Sequence, residues 1–199
     1  MMGKIAMMNR RMVVGGLAAA LVMPGAAMAA ISAGQAEILI GKVVSDINSI
    51  INSGQSEAKM ISRFEGVFKQ YADTKFIALA ALGVDGRSAS SGQKSAFIKA
   101  FTGYIANRYG SRFREFEGGK IEVVSTQQVK SRFEVLTKTK LAGQSPFDVI
   151  FIVSAKNGKF IDMHVEGISI VKSERKEIGA MLDKRKGDLD VLIRDLAKF

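Results

Sequence analysis

Four polar residues near the end of the chain have types and a spacing that can do chemistry. Asp162, His164 and Glu166 stand at alternate positions, and Ser169 follows three residues later. Alternate side chains of an extended strand share one face, so these residues could form a His–carboxylate site with a nearby serine. A serine nucleophile also needs an exposed turn and an oxyanion hole, and the chain has no G-x-S-x-G segment. Because polar residues at alternate positions are also typical of any solvent-facing strand, a hydrolase that uses His164 is the least favoured function.

The composition argues against other catalytic classes. The chain has no Cys and a single His, which leaves only carboxylates as metal ligands, and no acidic cluster has the spacing of a calcium loop. Neither glycine pair lies in the G-x-x-x-x-G-K-[ST] segment followed by a helix that a phosphate loop requires, although Lys120 follows Gly119. We therefore predict no catalytic residue, no metal and no cofactor, and we interpret the protein as a binding protein.

The first 29 residues have the parts of an export signal. The segment begins with the basic residues Lys4, Arg10 and Arg11, and an apolar run follows at residues 12–23. Pro24-Gly25 interrupts this run, and residues 27–29 form an A-x-A cleavage site. We predict that residues 1–29 are a cleaved signal peptide and that Arg10-Arg11 is compatible with twin-arginine export. Residues 30–199 then suit one domain. The net charge of +10 would fit several anionic partners, but export argues against nucleic acid.

The hydrophobic periodicity predicts an α+β fold. Helical spacing indicates helices at 35–52, 56–71 and 74–82, a long helix from residue 90, and a helical end over 171–199 split near Gly187. Alternation indicates strands at 121–125, 133–141, 147–155 and 160–170, with turns at 142–146 and at Asn157-Gly158. We predict an antiparallel sheet of about four strands, with long helices before and after it, enclosing an apolar cavity.

The apolar interior permits two interpretations. The helix from residue 90 carries an aromatic-rich stripe, and strand 147–153 is apolar on both faces, so it needs cover on both sides. Spacing alone favours an ordinary filled core, which is the reading for a structural or interaction protein without a ligand. The alternative is the wall of a lipid cavity. Each methylene kept from water is worth about 0.8 kcal/mol, so a two-chain lipid needs a dry container to cross an aqueous space.

Three segments follow one another in a specific order. Residues 76–83 form an aliphatic helix that ends in Leu-Gly, residues 90–109 form a helix with a Gln, an Ala-Phe pair and a later Tyr, and residues 159–171 contain an "aromatic-x-Asp-x-x-x-Glu-Gly-x-Ser" hinge. Taken in this order, they resemble the MlaC or toluene-tolerance family of periplasmic phospholipid carriers. Residues 190–196 approximate a fourth segment. The chain departs from the family at Val84 and Asp85, where Trp-Arg is common, and at Ser173 and Glu174, where Asn-Tyr precedes the arginine. A hopanoid-linked paralogue that binds another lipid is therefore an alternative.

The resemblance implies a periplasmic carrier for a diacyl phospholipid. Its partners would be an outer-membrane lipoprotein–porin complex and an inner-membrane ABC lipid transporter, and its role would be to maintain outer-membrane lipid asymmetry. On this basis we expect two cavity walls. The wall on the long helix is formed by Phe97, Phe101, Tyr104 and Ile105. The wall on the sheet is formed by Val135, Val149, Phe151, Met163 and Val165. The strand register is left open, so the opposite sheet face is an alternative. We expect Arg175, Lys176 and Arg185 to meet a partner or the lipid headgroup, although a solvated helix face explains them equally well.

Overall fold

The computed structural model describes residues 30–199 and contains six α-helices and five strands in that range. In chain order they are α1 (Ala33–Ile51), α2 (Glu57–Tyr71), α3 (Thr74–Leu82), α4 (Ser91–Gly110), β1 (Lys120–Val129), β2 (Arg132–Lys140), β3 (Phe147–Ser154), β4 (Phe160–Val165), β5 (Ile168–Ser169), α5 (Ile170–Asp183) and α6 (Leu189–Leu196). The predicted signal peptide lies outside the described residues. Along residues 30–199, no helix combines the length and the apolar character needed to cross a bilayer.

The helices begin and end where local chemistry favours it. Asp73 caps α3 by accepting a hydrogen bond from the amide of Phe76 at 2.9 Å, and Gly83 ends that helix with a φ of +70°. Ser90 and Gln93 form a capping box at the start of α4. These three boundaries agree with the sequence prediction because each rests on contacts between neighbouring residues.

The strands form one antiparallel meander in the order β1-β2-β3-β4-β5. The α+β class is therefore confirmed, with one strand more than predicted. The extra strand arises because the segment predicted as one strand, 160–170, turns back at Glu166 and Gly167, whose φ angles are +48° and +81°. Strand β1 is also longer than predicted and reaches a turn at Lys130, a non-glycine residue with a φ of +56°.

One face of the sheet packs against the helices and forms the core. Helix α1 lies along the edge strand β1, and Asn48 fixes the contact with two hydrogen bonds to the backbone of Ile121. The side-chain amide donates to the Ile121 carbonyl at 2.9 Å and its oxygen accepts from the Ile121 amide at 3.0 Å. Asn52, one turn later, accepts from the amide of Gly118 at 3.1 Å. These amides satisfy backbone groups that an edge strand otherwise leaves to water.

Candidate functional site

The five sheet residues expected in the wall lie in two rows across three strands. Val135 of β2 pairs with Phe151 of β3, which pairs with Met163 of β4. In the next row, Val149 lies between Thr137 and Val165. Val135, Val149 and Phe151 are buried in the main core, and Met163 and Val165 are partly buried and pack against it. The register thus puts all five on the helix-facing side of the sheet.

The four helix residues of the expected wall are buried on the inner side of α4. Phe97 and Phe101 are fully buried, with ring centroids 5.6 Å apart, and the rings of Phe101 and Tyr104 are 6.1 Å apart. Tyr104 and Ile105 belong to the same core cluster as the buried sheet residues. The recurrence of these residues every three or four positions explains why one helix presents them all to the core.

The expected wall is closely packed in this structure. Phe97, Phe101 and Val135 have essentially no exposed surface, so a lipid that contacts them has to replace their present contacts. Two depressions on the described surface lie elsewhere: one of about 580 Å³ beside Val124 and Lys138, and one of about 370 Å³ beside Asp85 and Asp190. Helix α4 packs on α2, α3 and α6 and shares one buried core cluster with the sheet residues, so acyl chains can reach both expected walls only if this core opens.

A buried carboxylate lies at the end of the α4 wall. Glu174 of α5 has a side chain only 2% exposed. Its oxygen Oε1 accepts a hydrogen bond from the Tyr109 hydroxyl at 2.6 Å and forms an ion pair with Arg108 Nε at 3.2 Å. A second guanidinium nitrogen of Arg108 donates to the Tyr104 hydroxyl at 2.9 Å, and the guanidinium lies 5.8 Å from the centre of the Tyr104 ring. We call Tyr104, Arg108, Tyr109 and Glu174 the Glu174 cluster.

The Glu174 cluster is only partly satisfied. Among residues 30–199, the second carboxylate oxygen of Glu174, Oε2, is buried and finds no hydrogen-bond partner, which typically costs about 1–3 kcal/mol. Burial, reinforced by the nearby carboxylate, raises the pKa of Tyr104 to about 12, and burial together with the Glu174 hydrogen bond raises the pKa of Tyr109. Burial alone would lower the pKa of Arg108, but the charge of Glu174 helps to raise it overall. The tyrosines are therefore held neutral and the arginine charged.

Sequence reasoning missed the Glu174 cluster. Arg108 and Glu174 are 66 positions apart, and no local pattern pairs them. One signal was present: Glu174, Ile178 and Leu182 recur every four residues on α5, so the glutamate occupies a core position at the head of an apolar stripe. A charged residue in such a position needs a partner.

The three basic residues expected to meet a partner or headgroup have different surroundings. Arg185 is 21% exposed and donates to Asp195 at 2.7 Å and to the carbonyl of Met181 at 2.6 Å, so it joins α5 to α6. Arg175 is exposed, and its guanidinium covers Gly83, where a Cβ would lie 2.8 Å from Nε. Lys176 is exposed on the same helix. Arg175 and Lys176 therefore remain accessible, whereas Arg185 is already engaged within the protein.

The polar residues that suggested a hydrolase hold the start of α5. The Ser169 hydroxyl donates to Asp162 Oδ2 at 2.6 Å and accepts from the amide of Lys172 at 3.1 Å, which makes it the cap of the helix. His164 Nε2 lies 3.3 Å from the same Asp162 oxygen. Because the serine proton goes to a carboxylate and not to an imidazole, this arrangement does not activate a nucleophile. Within residues 30–199, no three His, Asp or Glu residues are grouped as metal ligands.

Comparison with known proteins relates the chain to one protein family and to solved structures. The family model described as MlaC protein matches residues 41–198. The solved structure of a phospholipid-binding protein from Ralstonia solanacearum, in complex with a phospholipid, superposes with a TM-score of 0.68 at 16% identity, covering 81% of this chain and 98% of that one. At this identity the structural likeness concerns the fold. No curated protein matches the sequence significantly.

Proposed function

Because this chain belongs to the MlaC family, we propose that it is a phospholipid-binding protein that carries lipid through the periplasm. The observation that carries the proposal is the common core formed by the aromatic stripe of α4 and the two apolar rows of β2, β3 and β4. Between them these surfaces supply a largely apolar container, whose polar groups are the Tyr104 hydroxyl and the Thr137 hydroxyl, with Thr139 buried in the next row. The Thr137 hydroxyl already donates to the carbonyl of Val149 at 2.9 Å.

The proposed container works by exchange of apolar contacts. A bound diacyl lipid opens the common core of α4 and the sheet and replaces the contacts between Phe101 and its neighbours with contacts to acyl chains. Since the rings stay out of water in both states, the cost of opening is limited to lost packing, and the chains gain about 0.8 kcal/mol per buried methylene. The phosphate-bearing end stays at the rim, where its charge is solvated.

We propose the rest of the route from the family. After removal of residues 1–29, the single domain of residues 30–199 moves phospholipid between an outer-membrane lipoprotein–porin complex and an inner-membrane ABC transporter. Such transport maintains the asymmetry of the outer membrane. The accessible cations Arg175 and Lys176 are the proposed contacts to these partners, and no chemical step is required of the protein itself.

The first experiment is native mass spectrometry of residues 30–199, purified from a Gram-negative periplasm, followed by organic extraction and lipid analysis. A mass increment that matches an extracted phospholipid supports the proposal and identifies the lipid. A folded protein that carries no lipid and accepts none from vesicles refutes it. If the extracted lipid is a hopanoid or another polycyclic lipid, the proposed apolar container stands but the proposed phospholipid ligand is wrong.

A matched pair of variants tests which face of the sheet holds the lipid. Met163→Glu puts a carboxylate on the helix-facing side, and Ile150→Glu puts the same group on the opposite side of the neighbouring strand. Both positions are partly exposed, so both variants can fold with the charge near water. We expect Met163→Glu to lose copurified lipid and Ile150→Glu to keep it. The reverse pattern would assign the ligand to the outer face.

A further inference from the structure

We propose that Arg108 binds the phosphate of the carried lipid, with Glu174 as the residue that positions its guanidinium. This inference rests on the proposed function and names the group that fixes the polar end of the ligand. Arg108 is distinct from the cations that the sequence singled out, of which Arg185 is engaged with Asp195.

The position of Arg108 follows from the helix that forms the wall. It lies four residues after Tyr104 and seven after Phe101, so it continues the inner stripe of α4 by one turn. Its guanidinium covers the ring of Tyr104, the last aromatic residue of the expected wall. Arg108 is also 44% exposed, whereas the wall residues before it are buried. It therefore stands where the apolar interior meets solvent, which is where a diacyl lipid carries its phosphate.

The guanidinium retains donors for an anion. Within residues 30–199, the guanidinium forms one ion pair, between Nε and Glu174 Oε1 at 3.2 Å, and one terminal nitrogen donates a hydrogen bond to the Tyr104 hydroxyl, so N–H groups remain available. A guanidinium presents five N–H groups in a planar fork that fits two oxygens of a phosphate. The ion pair and the hydrogen bond hold the guanidinium between Glu174 and Tyr104, and the side chain is still 44% exposed.

Glu174 provides the rigidity that an exposed arginine usually lacks. Its carboxylate is buried and is itself held by the Tyr109 hydroxyl, so the Nε contact anchors the side chain from the inside. Fixing the fork before the ligand arrives lowers the entropy cost of binding. A lysine in this position would keep the charge but would lose the fork and its second contact.

The test separates phosphate recognition from binding of the acyl chains. Delipidated protein is offered dioleoyl phosphatidylglycerol and dioleoylglycerol, which share their chains and differ in the phosphate headgroup, and the loaded fraction of each is measured by native mass spectrometry. The variants are Arg108→Lys and the double variant Arg108→Gln with Glu174→Gln, which leaves no unpaired buried charge. The control is Arg112→Gln, which removes an arginine paired with Glu115 on the surface one turn further on.

We expect both Arg108 variants to bind the phospholipid about tenfold less tightly than the wild type, because they lose about one charge-assisted hydrogen bond. The loading of dioleoylglycerol should be unchanged. Arg112→Gln should leave both lipids unchanged. Equal losses for both lipids, or no loss in either Arg108 variant, would overturn the role of Arg108 while the lipid-carrying function stands. If the wild type loaded neither lipid, the lipid-carrying function would itself fail. Melting curves by circular dichroism confirm that each variant is folded.

Discussion

Removing one or the other member of the Arg108–Glu174 pair should have unequal effects on stability. The two side chains differ in surroundings: Glu174 is 2% exposed and Arg108 is 44% exposed. Arg108→Met leaves a buried carboxylate with only the Tyr109 hydroxyl as a partner. Breaking a fully buried pair in this way costs about 3–5 kcal/mol. Because Arg108 is half in water, we reduce this to about 2–3 kcal/mol.

Glu174→Met should cost much less. The freed guanidinium can turn into solvent, and the unpartnered oxygen Oε2, with its cost of about 1–3 kcal/mol, is removed as well. In the opposite direction, the Tyr109 hydroxyl loses its hydrogen-bond acceptor, which lowers the free energy of unfolding by about 1 kcal/mol. These terms nearly cancel, so we expect a change in the free energy of unfolding within about 1 kcal/mol. The double variant should then resemble Glu174→Met and not the sum of the two single variants.

Urea unfolding at pH 7, followed by far-ultraviolet circular dichroism, measures the four free energies of this double-mutant cycle. The control is Arg112→Met, whose exposed pair with Glu115 should be worth less than about 1 kcal/mol. Equal and additive losses for Arg108→Met and Glu174→Met would refute the argument, because they would mean that burial does not distinguish the two charges.

Three further results are expected. In the absence of Trp, absorbance at 295 nm should show little ionisation through pH 10, because the pKa values of Tyr71, Tyr104 and Tyr109 are all raised. Because the folded protein holds these tyrosines neutral, their raised pKa values contribute stability below about pH 10. That contribution should be lost as the pH rises from about 10, the unfolded pKa, toward 12, the pKa of Tyr104 in the folded protein. Asn48→Ala should lower the free energy of unfolding by about 1–2 kcal/mol in urea titrations, because two backbone groups of β1 lose their partner. Ion pairing with Lys198 and Arg185 lowers the pKa of Asp195, so the stability that this group provides is present above its unfolded pKa and lost as pH falls through the folded value. Asp195→Asn should flatten the acid limb of a stability–pH curve.

Features that depend on neighbouring residues were predictable from the sequence. The limits of α3 follow from Asp73 and Gly83, and the start of α4 follows from Ser90 and Gln93, because each uses side-chain or backbone contacts within one turn. Periodicity also predicted that Phe97, Phe101, Tyr104 and Ile105 share one side of α4, and that side is buried, whereas the choice of sheet face was left open. That choice needs the strand register, which the turns and bulges set in three dimensions.

Features that depend on distant residues or on unusual backbone were not predictable. The turn at Lys130 and the break at Glu166 put non-glycine residues at positive φ, which sequence patterns do not indicate. The Glu174 cluster joins two helices that are separated by the whole sheet in the chain, so only packing could reveal it. The hydrogen bonds from Asn48 to β1 belong to the same class, since they span 73 positions.

The meander has a consequence for the speed of folding. Each strand pairs with its neighbour in the chain, and the connections are two to six residues long, so the sheet has a low contact order. Closing such short loops costs little entropy, and the hairpins can form one after another. The slow step is then expected to be the docking of α1 onto β1 and of α4 onto α6, which joins segments distant in sequence. In a pulse-labelling hydrogen-exchange experiment, amides of β2 and β3 should become protected before those that depend on these helix contacts.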